Sequence, residues 1–280
     1  MDITSVTSFR RARTRDDLVL APGETFIAGG TWLMSEPQPD TTGFVDLTSM
    51  AWPALEITGA GLRIGATCTI AELVAWAQGR ASLRVPERWA AASVIPPAAH
   101  ALLASFKVWN TATVGGNVCR AFAAGSMTAL VVTLDGIAEV WRADGSAYRV
   151  AVADLVTGNG ENALAPSEVL RAIDVPATAL RARTALRKIA LAEHGRSGAV
   201  VSGRLDEDGS CVIVVTAATE RPTVLRFAGI PDAATLAAAI SGAAGYYSDP
   251  LGAADWRRGV SVVLGERIRS ELLTDLERAA

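Results

Sequence analysis

Two short stretches of the chain place paired glycines beside hydroxyl and amide side chains. The first, residues 26–32, has the sequence Phe-Ile-Ala-Gly-Gly-Thr-Trp, and the second, residues 110–117, has Asn-Thr-Ala-Thr-Val-Gly-Gly-Asn. A Gly-Gly pair permits positive φ and brings consecutive backbone amides to one side with no Cβ in the way, which forms a concave anion site. Thr31, Thr113 and Asn117 can add side-chain donors. Together the stretches indicate a diphosphate site that needs almost no Lys or Arg.

The alternative for either stretch is an ordinary hairpin or loop, which is what a single Gly-Gly pair most often forms. The presence of two such stretches favours the phosphate site. Neither stretch matches the GxGxxG pattern of a Rossmann unit or the GxxxxGKS pattern of a P-loop. The sequence therefore disfavours nicotinamide and nucleoside-triphosphate sites of those types and predicts a different dinucleotide-binding fold.

The elements that must position these stretches are typical of an α+β fold, in which segments rich in β-branched residues alternate with Ala-rich helices. Thr69 and Glu72 have the spacing of a capping box and predict a helix that begins at Thr69. Asp-Gly pairs predict two hairpins, one of residues 137–141 with 148–152 and one of residues 199–205 with 211–216. Further helices are predicted at residues 98–106, at residues 126–134, after Pro231 and from about residue 253.

The pattern changes near Pro176, which predicts a domain boundary near residue 178. The segment before this point is punctuated by glycine, whereas the segment after it is more regular. We therefore expect any cofactor in the first segment.

Charge, hydropathy and cysteine content exclude several function classes. With 26 basic and 29 acidic side chains the formal net charge is −3. The chain therefore has no excess of positive charge that would attract nucleic acid or anionic lipid. No apolar run approaches the ~20 residues that span a bilayer, and no complete export signal is present, so we expect a cytoplasmic protein without a membrane partner. The spacing of Cys68, Cys119 and Cys211 matches no zinc or iron–sulfur site, so we expect no metal bound through Cys alone.

Four separated stretches resemble the FAD-binding medium subunit of the molybdenum hydroxylases, the family of the xanthine and carbon monoxide dehydrogenases. They are residues 28–31 (Ala-Gly-Gly-Thr), residues 63–66 (Arg-Ile-Gly-Ala) with the Thr69 helix, residues 104–117 (ending Thr-Val-Gly-Gly-Asn) and residues 134–136 (Leu-Asp-Gly). The first and third are similar to the family's two diphosphate loops. Residues 247–258 resemble the end of the family's C-terminal part, so the likeness covers nearly the whole chain.

The resemblance implies a two-lobed FAD-binding domain of the vanillyl-alcohol oxidase or PCMH type, followed by a C-terminal α+β domain like that of the carbon monoxide dehydrogenase flavoprotein. We expect the first domain at residues 1–177, with lobes at about 1–55 and 56–177, and the second at residues 178–280. FAD would lie between the lobes, bound noncovalently because Thr31 stands where covalent relatives have His. The FAD-binding residues that the resemblance implies are Ala28, Gly29, Gly30, Thr31, Trp32, Leu33, Thr113, Gly115, Gly116, Asn117, Ser126 and Lys188.

The chain departs from the family pattern at several positions. Trp109 stands where an Arg is common, and Phe122 and Ser126 stand where a Ser-Pro pair and an Asp are usual, so we expect some polar contacts to the flavin to be missing. Phe122 or Trp109 either stacks near a flavin ring or fills space against a helix. His194 either lies in a solvated loop or approaches the flavin edge, and His100 is assigned no ligand role.

The function that the resemblance implies is that of an FAD-binding electron-transfer subunit of a molybdopterin-dependent hydroxylase or dehydrogenase. Electrons would come from [2Fe-2S] clusters on a small partner, which draws them from a molybdopterin centre on a large partner, and would leave to an external acceptor. We expect a dimer of such heterotrimers. No catalytic side chain is expected on this chain, because the flavin carries the redox step. The alternatives are a stand-alone flavin oxidoreductase of the same fold and a scaffold subunit without flavin.

Overall fold

The computed structural model describes residues 4–102 and 104–277, and its first sheet is parallel. This sheet has three strands, β1 (Ser8–Arg11), β2 (Glu24–Ile27) and β3 (Gly43–Asp46), in the order β1-β3-β2. Short 3-10 helices lie at Arg15–Leu18 and Thr48–Met50. Strand β3 is buried throughout because it lies between the other two. Strand β2 ends at Ile27, so the glycine pair Gly29-Gly30 lies at the carboxyl edge of the sheet, where ligands commonly bind.

An antiparallel sheet and a series of short helices follow the first sheet. In chain order they are β4 (Leu55–Thr58), β5 (Gly61–Gly65), α1 (Ile70–Ala77), α2 (Ile95–His100), α3 (Phe106–Trp109), α4 (Val114–Arg120), α5 (Ser126–Thr133), β6 (Ile137–Trp141), β7 (Ala147–Ala151), α6 (Val152–Leu155), β8 (Val156–Gly158), β9 (Glu161–Asn162) and β10 (Val169–Pro176). Five strands form the sheet in the order β4-β5-β10-β6-β7, and β8 and β9 form a separate small hairpin. The helices bury their apolar side chains on this sheet, around Trp76, Leu130 and Ile173.

The first two sheets are joined by an apolar and aromatic contact. Leu18 and Val45 of the first sheet region form one buried cluster with Val169 of β10. The rings of Trp52 and Trp141 meet edge to face at 5.6 Å beside this cluster. Burial of aromatic rings in this arrangement stabilises the association of the two lobes.

A second antiparallel sheet builds the C-terminal part of the chain. After the short helix α7 (Ala177–Arg181) come β11 (Arg183–Ile189), β12 (Ala199–Leu205), β13 (Cys211–Thr216) and β14 (Thr223–Phe227), paired in chain order, and then helices α8 (Ala233–Ser241) and α9 (Ala254–Glu277). Ile213 of the sheet packs with Ile268 and Leu272 of α9 in a second core. Over the described residues, no helix combines the length and apolarity that crossing a bilayer requires.

The α+β class and the elements with strong local signals are confirmed. Thr69 Oγ1 accepts a hydrogen bond from Glu72 N at 3.1 Å, and Glu72 Oε2 accepts one from Thr69 N at 2.8 Å, which is the capping box that the spacing predicts. Both predicted hairpins form, with Trp141 opposite Ala147 and Leu205 opposite Cys211, and the second strand of the first hairpin lies one residue earlier than predicted, at Ala147–Ala151.

The helix predicted at residues 98–106 is wrong in its bounds. Helix α2 ends at His100, and a separate single turn, α3, begins at Phe106. The carbonyl oxygen of His100 accepts a hydrogen bond from Lys188 Nζ at 2.9 Å, and that of Ala101 accepts one from Ser197 Oγ at 3.0 Å. These side chains satisfy the helix end from the C-terminal sheet, so local sequence could not reveal the end of α2.

Candidate functional site

The first glycine stretch forms a tight turn at the end of β2. Gly30 has φ of +65°, a conformation that favours glycine. Met34 N donates to the carbonyl oxygen of Gly30 at 2.8 Å, and Ser35 N donates to that of Trp32 at 2.8 Å. These two bonds close the turn and leave the preceding amides outside it.

The amides of residues 28–33 are the strongest indication of a ligand site. Within the described parts of the chain, none of these consecutive N–H groups donates a hydrogen bond to a protein acceptor. The stretch is only partly exposed, and polar backbone groups in folded proteins normally find a partner. A run of free donors at the carboxyl edge of a parallel sheet is suited to an anion such as a diphosphate.

The second glycine stretch uses its amides differently from the expectation. Thr113 Oγ1 caps α4 by accepting from Gly116 N at 3.0 Å, and Gly115 N donates to the carbonyl oxygen of Ala66 at 3.0 Å. Val114 N and Asn117 N also donate to backbone carbonyls. The expectation that both glycine pairs present free amides is therefore corrected, because those of the second pair bond within the protein.

The two glycines of the second stretch have different roles. Gly115 permits close packing of backbones, and Gly116 leaves the surface of α4 without a side chain. An ideal Cβ on Gly115 would lie 2.6 Å from the Ala66 carbonyl oxygen, so only glycine allows α4 to approach this loop. Gly115 and Thr113 are buried, whereas Gly116 is exposed, and an added Cβ there would meet only Thr113 Oγ1. Asn117 is half-buried, and its Oδ1 accepts from Met127 N at 2.9 Å. Gly116 and the side-chain nitrogen Nδ2 of Asn117 are thus the parts of this stretch that can face a ligand.

The two glycine stretches meet in space. An ideal Cβ on Gly29 would lie 2.7 Å from the carbonyl carbon of Thr111 and 3.1 Å from Ala112 Cα. The backbones are therefore in direct contact at this point. The proximity of the two stretches, on which a shared diphosphate site depends, is present in the structure.

Arg120, which no sequence pattern indicates, lies against the ring of Trp32 in the first glycine stretch. Its guanidinium carbon lies 3.8 Å from the centroid of the Trp32 ring and 4.0 Å from that of the Phe122 ring. Burial lowers the pKa of Arg120. The contact joins the first glycine turn to the segment after α4, and no pattern along the sequence indicates a pairing that depends on how the two lobes pack.

Ser126 is buried, and its role as an FAD-binding residue stays a prediction. Its side chain is 1% exposed, and its Oγ is buried without a hydrogen-bond partner among the described residues. Lys188 is exposed and donates to the carbonyl oxygen of His100, so its ammonium group is engaged at the end of α2.

The remaining candidates lie at the surface or against neighbouring rings. His194 is exposed in the loop before β12. The ring of His100 meets that of Trp109 at 4.8 Å, so Trp109 packs beside α2 as a space-filling residue would. Phe122 is 38% exposed and belongs to the contact with Arg120.

The thiols are not reactive centres at neutral pH. Burial raises the pKa of Cys119 to about 12 and that of Cys211 to about 11, and it raises the pKa of Cys68 as well. Such thiols remain protonated and are poor nucleophiles and metal ligands. In residues 4–102 and 104–277, no cluster of three or more His, Cys, Asp or Glu has the arrangement of a metal site.

A polar groove of about 600 Å³ lies elsewhere, between α6 and β14. Its lining includes Asp154, Thr157, Arg221 and Thr223, and no residue of either glycine stretch. The groove and the glycine turns are therefore separate features of the surface.

Comparison with known proteins identifies the first part of the chain. The family model for the FAD binding domain in molybdopterin dehydrogenase matches residues 7–178. A comparison with curated protein sequences gives no match.

Solved structures are similar over nearly the whole chain. A chain of quinoline 2-oxidoreductase from Pseudomonas putida 86 has a TM-score of 0.80 at 19% identity, covering 98% of this chain and 99% of that one. A chain of the reconstituted CO dehydrogenase from Oligotropha carboxidovorans has a TM-score of 0.78 at 21% identity, covering 96% and 99%. The carbon monoxide dehydrogenase from Hydrogenophaga pseudoflava, in a form that lacks the Mo-pyranopterin moiety of its molybdenum cofactor, gives 0.78 at 18% identity, covering 96% and 98%. At these identities the likeness shows a shared fold.

Proposed function

This chain belongs to the family of FAD-binding domains of molybdopterin dehydrogenases, and we propose that it is the FAD-binding electron-transfer subunit of a molybdopterin-dependent hydroxylase or dehydrogenase. The observation that carries the proposal is the run of free amides at residues 28–33, placed against the second glycine stretch. The same two features are what a dinucleotide held through its diphosphate requires.

The residues present fit the diphosphate of FAD. The amides of the first turn would donate to the phosphoryl oxygens, and Gly116 carries no side chain that would keep the cofactor away. Asn117 would donate from its side-chain nitrogen Nδ2, because its Oδ1 already accepts a hydrogen bond from Met127 N. The hydroxyl of Thr31 can form a hydrogen bond but not the covalent flavin link that a His provides. Bound FAD supplies the redox chemistry, since its ring system accepts and releases electrons.

The role of the protein is then to hold and orient the cofactor and to connect it with partners. We propose a small partner with [2Fe-2S] clusters as electron donor and a large partner with a molybdopterin centre, in a heterotrimer that dimerises. The support is the family to which the chain belongs and its similarity in fold to chains of carbon monoxide dehydrogenases.

Reconstitution with FAD tests the binding function. The full chain, stripped of flavin and mixed with FAD at about 100 times the dissociation constant, should gain about 2.7 kcal/mol in free energy of unfolding and acquire a protein-bound flavin spectrum. Riboflavin, which has no diphosphate, is the matched control ligand and should stabilise the chain much less. A chain that stays colourless and gains no stability with FAD contradicts the proposal and favours the scaffold alternative.

Copurification tests the partners. A tagged chain isolated from its native cell should bring with it an untagged iron–sulfur protein and a molybdoprotein, with flavin, iron and molybdenum measurable in the same fraction. A tagged chain that carries flavin but no other protein or metal contradicts the complex and favours a stand-alone flavin oxidoreductase.

A further inference from the structure

Arg120 lies at the centre of a three-residue cluster, which we call the Arg120 cluster, with Trp32 and Phe122. Its guanidinium carbon is 3.8 Å from one ring centroid and 4.0 Å from the other. The two rings are themselves 6.2 Å apart at 72°, edge to face. Distances of this size are those of cation–π contacts, in which the negative face of an aromatic ring attracts a cation.

Arg120 depends on these rings because it has little other compensation for its charge. No carboxylate of the described residues forms an ion pair with it, and its Nε is buried without a hydrogen-bond partner there. Nη1 donates to the carbonyl oxygen of Gly160, in the turn between β8 and β9, at 3.4 Å. A partly buried cation without an anion is costly unless polarisable or polar groups surround it. Trp32 and Phe122 are thus the principal partners of this charge.

The Arg120 cluster ties the first glycine turn to the second lobe. Trp32 is part of that turn, and its carbonyl oxygen accepts the closing bond from Ser35 N. Arg120 ends α4, and Phe122 follows it. The indole of Trp32 is therefore held from the opposite lobe, while its own backbone belongs to the run of free amides.

We propose that Arg120 is a positioning residue that holds the first glycine turn, through Trp32, in the arrangement that presents its amides to the FAD diphosphate. This inference rests on the proposed function and adds a residue to it. A turn that is held before the cofactor arrives loses less conformational freedom on binding, so the affinity is higher. Arg120 acts through Trp32 and need not touch the cofactor.

Affinity measurements on variants of the full chain test this role. Arg120→Ala should raise the dissociation constant for FAD by about tenfold or more, the size expected for a cation–π contact of ordinary strength. Arg120→Lys should recover only part of the loss, because an ammonium group does not stack on rings as a planar guanidinium does. The matched control is Arg258→Ala, since Arg258 also lies over an aromatic ring, that of Tyr246 at 5.0 Å, but in the C-terminal part. This control should leave the FAD affinity unchanged within about twofold.

A double-mutant cycle separates positioning from general stability. In a Trp32→Ala background, Arg120→Ala should have little further effect on FAD affinity, whereas in a Trp32→Phe background, which keeps a ring, it should retain most of its effect. The melting temperature of each flavin-free variant shows whether a loss of affinity merely follows a loss of fold.

Three outcomes overturn the inference without touching the proposed function. The first is wild-type affinity for FAD in Arg120→Ala. The second is a loss of FAD affinity on Arg120→Ala that is as large in the Trp32→Ala background as in the wild type. The third is wild-type affinity for FAD in Phe122→Leu, which removes one ring at similar volume. Phe122→Leu also serves as the deciding variant if Arg120→Ala does not fold, and it should weaken FAD binding severalfold. A wild-type chain that binds no FAD would instead contradict the proposed function itself.

Discussion

Gly29 and Thr111 are in contact so close that residue 29 can carry no side chain. An ideal Cβ on Gly29 would lie within 2.7 Å of the Thr111 carbonyl carbon and would overlap the carbonyl oxygen. The glycine is therefore needed for the approach of the two stretches as well as for the conformation of its own turn. The proposed cofactor site depends on this approach, because it brings the free amides of the first turn against residues 111–112 of the second stretch.

Gly29→Ala should both weaken FAD binding and destabilise the fold. The added methyl group must push the first turn away from Thr111, and overpacking of this kind costs about 1–3 kcal/mol. Displacement of the turn should lower the affinity for FAD at least about tenfold, because the diphosphate donors move with it. Isothermal titration and thermal unfolding of the same preparation measure the two effects.

The control for this substitution is Gly59→Ala. Gly59 lies in the turn between β4 and β5, where an added Cβ would meet nothing within 4 Å. It should bind FAD as the wild type does. Equal affinity in Gly29→Ala and wild type would show that the contact with Thr111 is not part of the site.

Gly115→Ala and Gly116→Ala should separate packing from cofactor approach. A Cβ on Gly115 would lie 2.6 Å from Ala66 Cβ, so Gly115→Ala should destabilise the chain by about 1–3 kcal/mol and lower FAD affinity as a result. Gly116 is exposed, and alanine is a better helix former by about 1 kcal/mol. An added Cβ would lie 2.8 Å from Thr113 Oγ1, so this capping hydroxyl must shift slightly. The two effects oppose each other, so Gly116→Ala should keep the fold while it weakens FAD binding. Unchanged FAD affinity in a well-folded Gly116→Ala would exclude Gly116 from the cofactor surface.

Ser126→Ala should leave both FAD affinity and stability nearly unchanged. The Ser126 hydroxyl is buried and has no partner among the described residues, so removing it deletes an unsatisfied group and no hydrogen bond. Thr128→Val is a matched change, because Thr128 Oγ1 is buried in the same way. A dissociation constant for FAD that rises in Ser126→Ala but not in Thr128→Val would support Ser126 as a cofactor residue.

Local chemistry made much of the fold predictable. The capping box at Thr69, the Asp-Gly turn at Asp144 and the glycine turn after β2 are each formed by residues that are neighbours in sequence, and the structure contains all of them. The contact between the two glycine stretches could be inferred only through the family resemblance.

Features that depend on packing between distant segments could not be predicted from the sequence. The amide of Gly115 is occupied by Ala66 and the end of α2 by Lys188, and neither pairing has a local pattern. The position of Arg120 against Trp32 arises where two lobes meet, so residue types alone could not indicate it.

Asp135 forms an ionic contact between the FAD-binding part and the C-terminal sheet. Its Oδ1 accepts from Arg226 Nη2 at 2.6 Å, and its Oδ2 accepts from Arg204 Nη2 at 2.6 Å. Arg204 is buried and also bonds Asp206 and the carbonyl oxygen of Thr133. Asp135→Asn should therefore lower the free energy of unfolding by about 1.5–3 kcal/mol at neutral pH, the range for hydrogen bonds to charged groups. Urea unfolding of the flavin-free chain measures this difference.

The effect of Asp135→Asn should shrink in acid. Burial alone would raise the pKa of Asp135, but the hydrogen bonds from Arg226 and Arg204 hold this pKa below its ordinary value. A carboxylate with a lowered pKa in the folded state stabilises the fold above the unfolded value of about 3.9, and this contribution disappears as pH falls through the lower folded value. The stability difference between wild type and Asp135→Asn should thus be constant from neutral pH to about pH 5 and decline below about pH 4. Asp232→Asn is the comparison: the pKa of Asp232 is also lowered, but by the backbone N–H of Thr235 at the start of α8, so its effect should decline in acid too and should be smaller, because asparagine also caps helices well. A difference for Asp135→Asn that stays constant down to the acid unfolding of the wild type would show that the charge of Asp135 does not stabilise the contact.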